Sequence, residues 1–83
     1  MKTIVTTHAA KRVVQRVGGH RKSVQRIADR AFQKGLTYAR ADRETRLWMD
    51  EKCHSNVDVN DVRLYGQHLY IFSDNILVTV LPS

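Results

Sequence analysis

The sequence has a single cysteine, Cys53, so no internal disulfide can staple its fold. It also lacks a long apolar run. The longest, Ile76 to Leu81, contains Thr79 and falls far short of the ~20 residues needed to cross a bilayer. Near the start only Ile4 and Val5 are apolar together, too few for the core of a secretory signal. Membrane insertion and export are therefore not expected, and a reducing, cytoplasmic setting is. One proline and four glycines leave little material for linkers, and 83 residues at 42% hydrophobic and 27% charged describe one folded domain, residues 1–83. A chain this short buries only about 60% of the surface its unfolded form exposes, which leaves little depth for a substrate cavity.

Acidic residues are scarce in one half only. Residues 1–40 hold ten lysines and arginines against Asp29 alone, whereas residues 41–83 hold four basic and seven acidic groups. Against a formal net charge of +6, the molecule is electrically two-ended. The basic half is expected to meet a polyanion such as a nucleic acid.

The segment Lys2 to Thr6 is rich in branched residues and reads as a short strand. Thr6 or Thr7 then caps a helix whose apolar set, Ala10, Val13, Val14 and Val17, follows the i, i+3, i+4, i+7 spacing until Gly18-Gly19 stops it. Ser23 is a second N-cap candidate. Val24, Ile27, Ala28 and Ala31 repeat the spacing, and Gly35 marks the C-terminal end. A third helix is predicted from Ala39 to Lys52, with Trp48 as a core anchor that is largely buried, like Phe32. The polar segment 54–61 reads as a loop. Beyond it the period drops to 2: residues 62–65, 68–72 and 76–81 read as a meander joined at Gly66-Gln67 and Ser73-Asp74-Asn75. The last run, ILVTVL, needs cover, from the N-terminal strand pairing beside it or from a dimer. The expected fold is α+β: a short N-terminal strand and two to three helices packed on one face of a three- to four-stranded antiparallel sheet.

His8, Arg12 and Arg16 lie one turn apart and form a stripe opposite the valines. Arg26 and Arg30 repeat the arrangement on the second helix, and His20, Arg21 and Lys22 occupy the connecting turn. Lined up on one outer surface, these cations would engage phosphate oxygens and fix register without reading sequence. Charged residues on such a face are often merely solvated; the shortage of compensating acids favours binding here. Tyr65 and Tyr70, in the predicted strands, are candidates to stack on bases. His8, His68 and Arg63 are the candidate catalytic groups, the histidines because imidazole exchanges protons near neutral pH. His8, His20, Cys53, His54 and His68 show no paired ligand spacing, so no metal or other cofactor is expected.

The element order, together with VRLYGQHLYIFSDNILVTVL, resembles the small RelE/ParE-type toxins of the barnase and colicin-nuclease-like superfamily. Arg63 and the Gly66 turn look like the corresponding hairpin of those toxins, and HAAKRVVQR is similar to small phage and mobile-element proteins of the superfamily. The resemblance implies a ribonuclease-like toxin, with RNA ahead of DNA as the nucleic acid met. In it the 2′-hydroxyl attacks the adjacent phosphorus, His8 or His68 moves the proton, and Arg12, Arg16 or Arg63 steadies the phosphorane. Two departures stand against cleavage. The sequence stops at Pro82-Ser83 where RNA-cleaving members carry a catalytic C-terminal segment, and HLYIF lacks their customary arginine. The expectation is a basic nucleic-acid-binding module, monomer or homodimer; the alternative is a non-catalytic protein-binding inhibitor or adaptor, such as a phage anti-defence protein.

Overall fold

Thr6 has extended backbone (φ −69°, ψ 159°), and its Oγ1 accepts the Ala9 amide at 3.0 Å. The chain therefore passes from a two-residue strand, β1 (Ile4–Val5), straight into helix α1 (Thr7–Arg12). These coordinates are a computed structural model, and it describes residues 2–52 and 61–81. After Arg12 the helix widens to π winding over Val13–Val17, and the Gly18 amide bonds the Val13 carbonyl at 3.1 Å, five residues back. This shifts the expected apolar face. Ala9 and Val13 are fully buried and Val17 is half-buried, every fourth residue, while Val14 turns outward to 38% exposure.

Helix α2 (Val24–Lys34) keeps regular winding, and its predicted face holds: Val24, Ala28 and Ala31 are buried and Ile27 is half-buried. Its entrance differs. Ser23 ends a 3-10 turn (Arg21–Ser23) in helical backbone and makes no capping hydrogen bond. His20 organises that turn instead, Nδ1 accepting the Lys22 amide at 3.1 Å and the carbonyl accepting the Ser23 amide at 2.8 Å. Gly35 ends α2 in extended backbone, not in the left-handed region. Glycine is required there by crowding: a Cβ would overlap the Ala31 carbonyl oxygen and come within 2.9 Å of the Arg63 Cβ.

Beyond Gly35 the chain forms a strand absent from the sequence reading, β2 (Leu36–Thr37), and then a 3-10 turn at Tyr38–Arg40. Ala41 is extended and Asp42 Oδ1 accepts the Thr45 amide at 2.7 Å, so α3 (Arg43–Lys52) starts four residues later than predicted. Hydrogen bonds from Thr45 hold the Asp42 carboxyl below its ordinary value. The predicted loop at 54–61 lies almost wholly outside the described residues.

Strands β3 (Val62–Tyr65), β4 (His68–Ser73) and β5 (Ile76–Leu81) form the expected meander. Gly66 and Gln67 both have positive φ (56° and 69°), as a two-residue hairpin turn that follows the strand twist requires. The sheet order is β1-β5-β4-β3-β2. β1 pairs parallel with β5, the first of the two ways to cover ILVTVL, and every other pair is antiparallel. The sheet is therefore mixed and five-stranded, where at most four antiparallel strands were expected; Leu36–Thr37 supplies the extra one.

Alternation along β4 divides the core. Tyr70 and Phe72 pack with Ala9, Val13, Val24 and Ala28 beneath α1 and α2, whereas Leu69 and Ile71 pack with Ala41, Met49 and Val62 on the opposite face. α3 thus covers the second face, which explains why LYIF is apolar without interruption. Consecutive residues of a helix point about 100° apart, so only one of Leu47, Trp48 and Met49 can face the sheet squarely. Met49 does so and is fully buried; Trp48 is half-buried at its side, and Leu47 is 59% exposed. Phe32 is also half-buried, so both aromatic anchors sit shallower than predicted. No helix among the described residues is long and apolar enough to cross a membrane.

Candidate nucleic-acid interface

Between α1 and α2 lies a cleft of about 620 Å³ lined by Ala10, Val14 and Val24, with Lys11, Gln15 and Gln25 among its polar groups. None of His8, Arg12, Arg16, Arg26 and Arg30 lines the cleft. His8, Arg16, Lys22, Arg26 and Arg30 are exposed, and Arg12 is half-buried with Nη1 donating to Gln15 Oε1 at 3.2 Å. His20 is exposed but spends Nδ1 on its own turn. The side chain of Arg21 lies outside what the structure describes. Lys11 joins the cleft although the sequence reading passed over it, because it falls off the four-residue spacing that defined the stripe.

The one acid of this half is occupied. Asp29 Oδ1 accepts from the Thr3 amide (2.7 Å), Thr3 Oγ1 (2.8 Å) and Gln25 Nε2 (3.1 Å), while Gln25 also donates to the Thr3 carbonyl at 2.7 Å. The Thr3 amide, above all, holds the Asp29 carboxyl below its ordinary value. This network ties the residue before β1 to α2 and turns the carboxylate toward Thr3.

The candidate catalytic residues sit in three different settings. His8 is exposed at the start of α1, with Nε2 3.3 Å from Thr79 Oγ1. His68 lies at the other end of that helix, with Nδ1 3.0 Å from the Gly66 carbonyl and Nε2 3.0 Å from the Arg16 carbonyl. His8 and Arg16 stand eight residues apart, near opposite ends of that helix. Arg63 is turned beneath the end of α2, where Nη1 donates to the Phe32 carbonyl. Its guanidinium lies 4.2 Å from the centre of the Phe32 ring and 5.7 Å from that of Phe72, and its Nε is buried without a partner. That setting gives Arg63 a packing role.

The stacking candidates are corrected more sharply. Tyr70 is 1% exposed in the core beneath the helices, where burial, reinforced by Tyr65, pushes its phenol up to about 12. No base can reach it. Tyr65 is half-buried and meets Tyr70 edge to face, with ring centres 6.3 Å apart. Among the described residues no three of His, Cys, Asp or Glu gather where they could hold a metal ion, and Cys53 and His54 lie outside them. No protein-family profile, curated protein or solved structure matches this chain.

Proposed function

We propose that the chain is a basic module of RelE/ParE-like architecture that binds nucleic acid through phosphate contacts from α1 and α2 and does not cleave it. The observation that carries this reading is the set of exposed cations, Arg16, Lys22, Arg26 and Arg30, in a half of the molecule whose one acid is turned to Thr3. Guanidinium and ammonium groups held on rigid helices can fix a polyanion's register without reading its bases. A cleaving site would need an acid and a base converging on one phosphodiester, usually within about 3 Å of it. Here Arg63 and His68 are engaged with the protein's own carbonyls, and His8 stands at the far end of α1.

Salt dependence tests the proposal. Logarithmic affinity should fall linearly with logarithmic salt, by about 0.9 per phosphate contact on duplex DNA and about 0.7 on a single strand. A flat response across nucleic acids overturns the proposal. The adaptor reading has one specific support, the apolar cleft where Val14 is 38% exposed, and it would then take precedence.

A further inference from the structure

Independently of nucleic-acid binding, we infer that the interhelical cleft is a binding site of its own, for a small amphiphile that carries one anionic group on an apolar tail. None of the exposed cations Arg16, Lys22, Arg26 and Arg30 lines it.

The cleft has the size and the lining of a small-molecule site. Its volume, about 620 Å³, falls within the range of roughly 300–1,000 Å³ found for such sites, which combine an apolar lining with a few placed polar groups. Val5, Ala10, Val14 and Val24 supply the apolar part; Val24, at 4% exposure, lies deep, and Val14, at 38%, meets solvent. The place of Val14 follows from the π winding over Val13–Val17, which sends Val13 into the core and leaves its neighbour to line the cleft. Interruptions of this kind in a helix occur frequently at functional sites.

The charge of the lining selects the head group. Among the described residues that line the cleft, Lys11 alone is charged, and it is exposed, so a head group beside it stays at the water while the tail lies against the valines. The donors of two other polar residues are already engaged. Gln25 Nε2 donates to the Thr3 carbonyl at 2.7 Å and to Asp29 Oδ1 at 3.1 Å, and Thr6 Oγ1 donates to the Leu77 carbonyl at 3.2 Å. Gln15 Oε1 accepts from Arg12 Nη1 at 3.2 Å, which leaves the Gln15 amide N–H groups for an acceptor. Asp29, the one acid of residues 1–40 against ten lysines and arginines, is turned to Thr3 and does not line the cleft. An anionic head meets a complementary charge there; a cationic head would be repelled by Lys11.

The experiment measures binding of decanoate, decanol and decyltrimethylammonium to the intact protein near neutral pH by isothermal calorimetry, below the concentrations at which they form micelles. The methyl resonances of Val5, Ala10, Val14 and Val24 are followed by NMR. Decanoate should saturate at one molecule per protein and shift those methyl groups. It should bind up to about fivefold more tightly than decanol, and the cationic amphiphile should bind more weakly than either. Shortening the acid should weaken binding by about fourfold for each methylene removed. Lys11→Gln should abolish the preference for decanoate over decanol. Val14→Thr, which keeps the branched shape and adds a hydroxyl, should weaken both by roughly threefold. Both positions are exposed, and circular dichroism checks that each variant is folded. Arg40→Gln removes the same charge at an exposed position outside the cleft and should change neither affinity. Decanol or decyltrimethylammonium bound as tightly as decanoate, shifts centred on methyl groups outside the cleft, equal losses in Lys11→Gln and Arg40→Gln, or no saturable binding overturns this inference. Each of those results leaves the salt dependence of nucleic-acid binding untouched, so the two sites fail separately.

Discussion

Replacing Asp29 tests whether the N-terminal strand is latched to α2 as the hydrogen bonds indicate. Asp29→Ala removes an acceptor of three hydrogen bonds and strands the amide of Thr3, a residue only 4% exposed. Hydrogen bonds to a charged group contribute about 1.5–3 kcal/mol each when protected from water. Asp29 itself is half-exposed, so solvent recovers much of that, and the net loss should be about 2 kcal/mol. Against a total stability of about 4–12 kcal/mol for a chain of this length, that is a large fraction. It corresponds to a melting temperature lower by roughly 8–16 °C. Asp29→Asn keeps a neutral acceptor and should lose about half as much. The pH dependence separates charge from shape. The carboxyl is held below its ordinary 3.8, so its stabilisation is present above the unfolded value and is lost as pH falls through the folded one. Thermal melts followed by circular dichroism should therefore show the gap between wild type and Asp29→Asn closing below about pH 4. An alanine variant that melts like wild type, or an asparagine gap that persists in acid, would refute the latch.

Met49→Ala should cost about 2–5 kcal/mol in urea denaturation, whereas Leu47→Ala, at 59% exposure, should stay within about 0.5 kcal/mol; equal losses would mean α3 is rotated. Gly35→Ala should destabilise by at least about 1–3 kcal/mol, because the new methyl meets the Ala31 carbonyl oxygen and the Arg63 Cβ; a neutral result would remove the crowding argument. In spectrophotometric titration the Tyr70 phenol should ionise at about pH 12, a step that Tyr70→Phe abolishes. Its raised value means stability is fully present below the unfolded value of about 10 and is lost as pH climbs through the folded one. A Tyr70 that ionises near pH 10, the ordinary value for a phenol in water, would contradict its burial.

What the sequence disclosed depended on how regular each element is. α2 winds uniformly, so Val24, Ala28 and Ala31 could be placed from spacing alone, and the meander announced itself through period and turn residues. α1 defeated the same rule, because the π segment inserts an extra residue per turn and no local signature in VVQRV distinguishes it from α winding. β2 is two residues long, below the length at which any period can be counted. The burial of Tyr70 was legible: an uninterrupted apolar LYIF implies cover on both faces, which leaves no wet side for a tyrosine. The setting of Arg63 was not legible, since its partner Phe32 stands 31 positions away. The cleft was not legible either, since it is a property of how α1 and α2 meet and not of either sequence.

The parallel pairing of β1 with β5 also governs the order in which the fold assembles. Thr6 and Leu77, joined by a hydrogen bond from Thr6 Oγ1, are 71 positions apart, whereas β3 and β4 are joined by two residues. Closing the longer loop costs about 3 kcal/mol more in chain entropy. Hairpins form within about 1–10 μs, so the meander should close before the first strand pairs, and α1 should pack once Leu77 and Val80 give its apolar face a floor. The bonds of Thr3 and Asp29 would then form on the native side of the folding barrier. Weakening them should speed unfolding and leave the refolding rate nearly unchanged in stopped-flow kinetics, the behaviour of a small polar clasp that sets how long the folded molecule lasts.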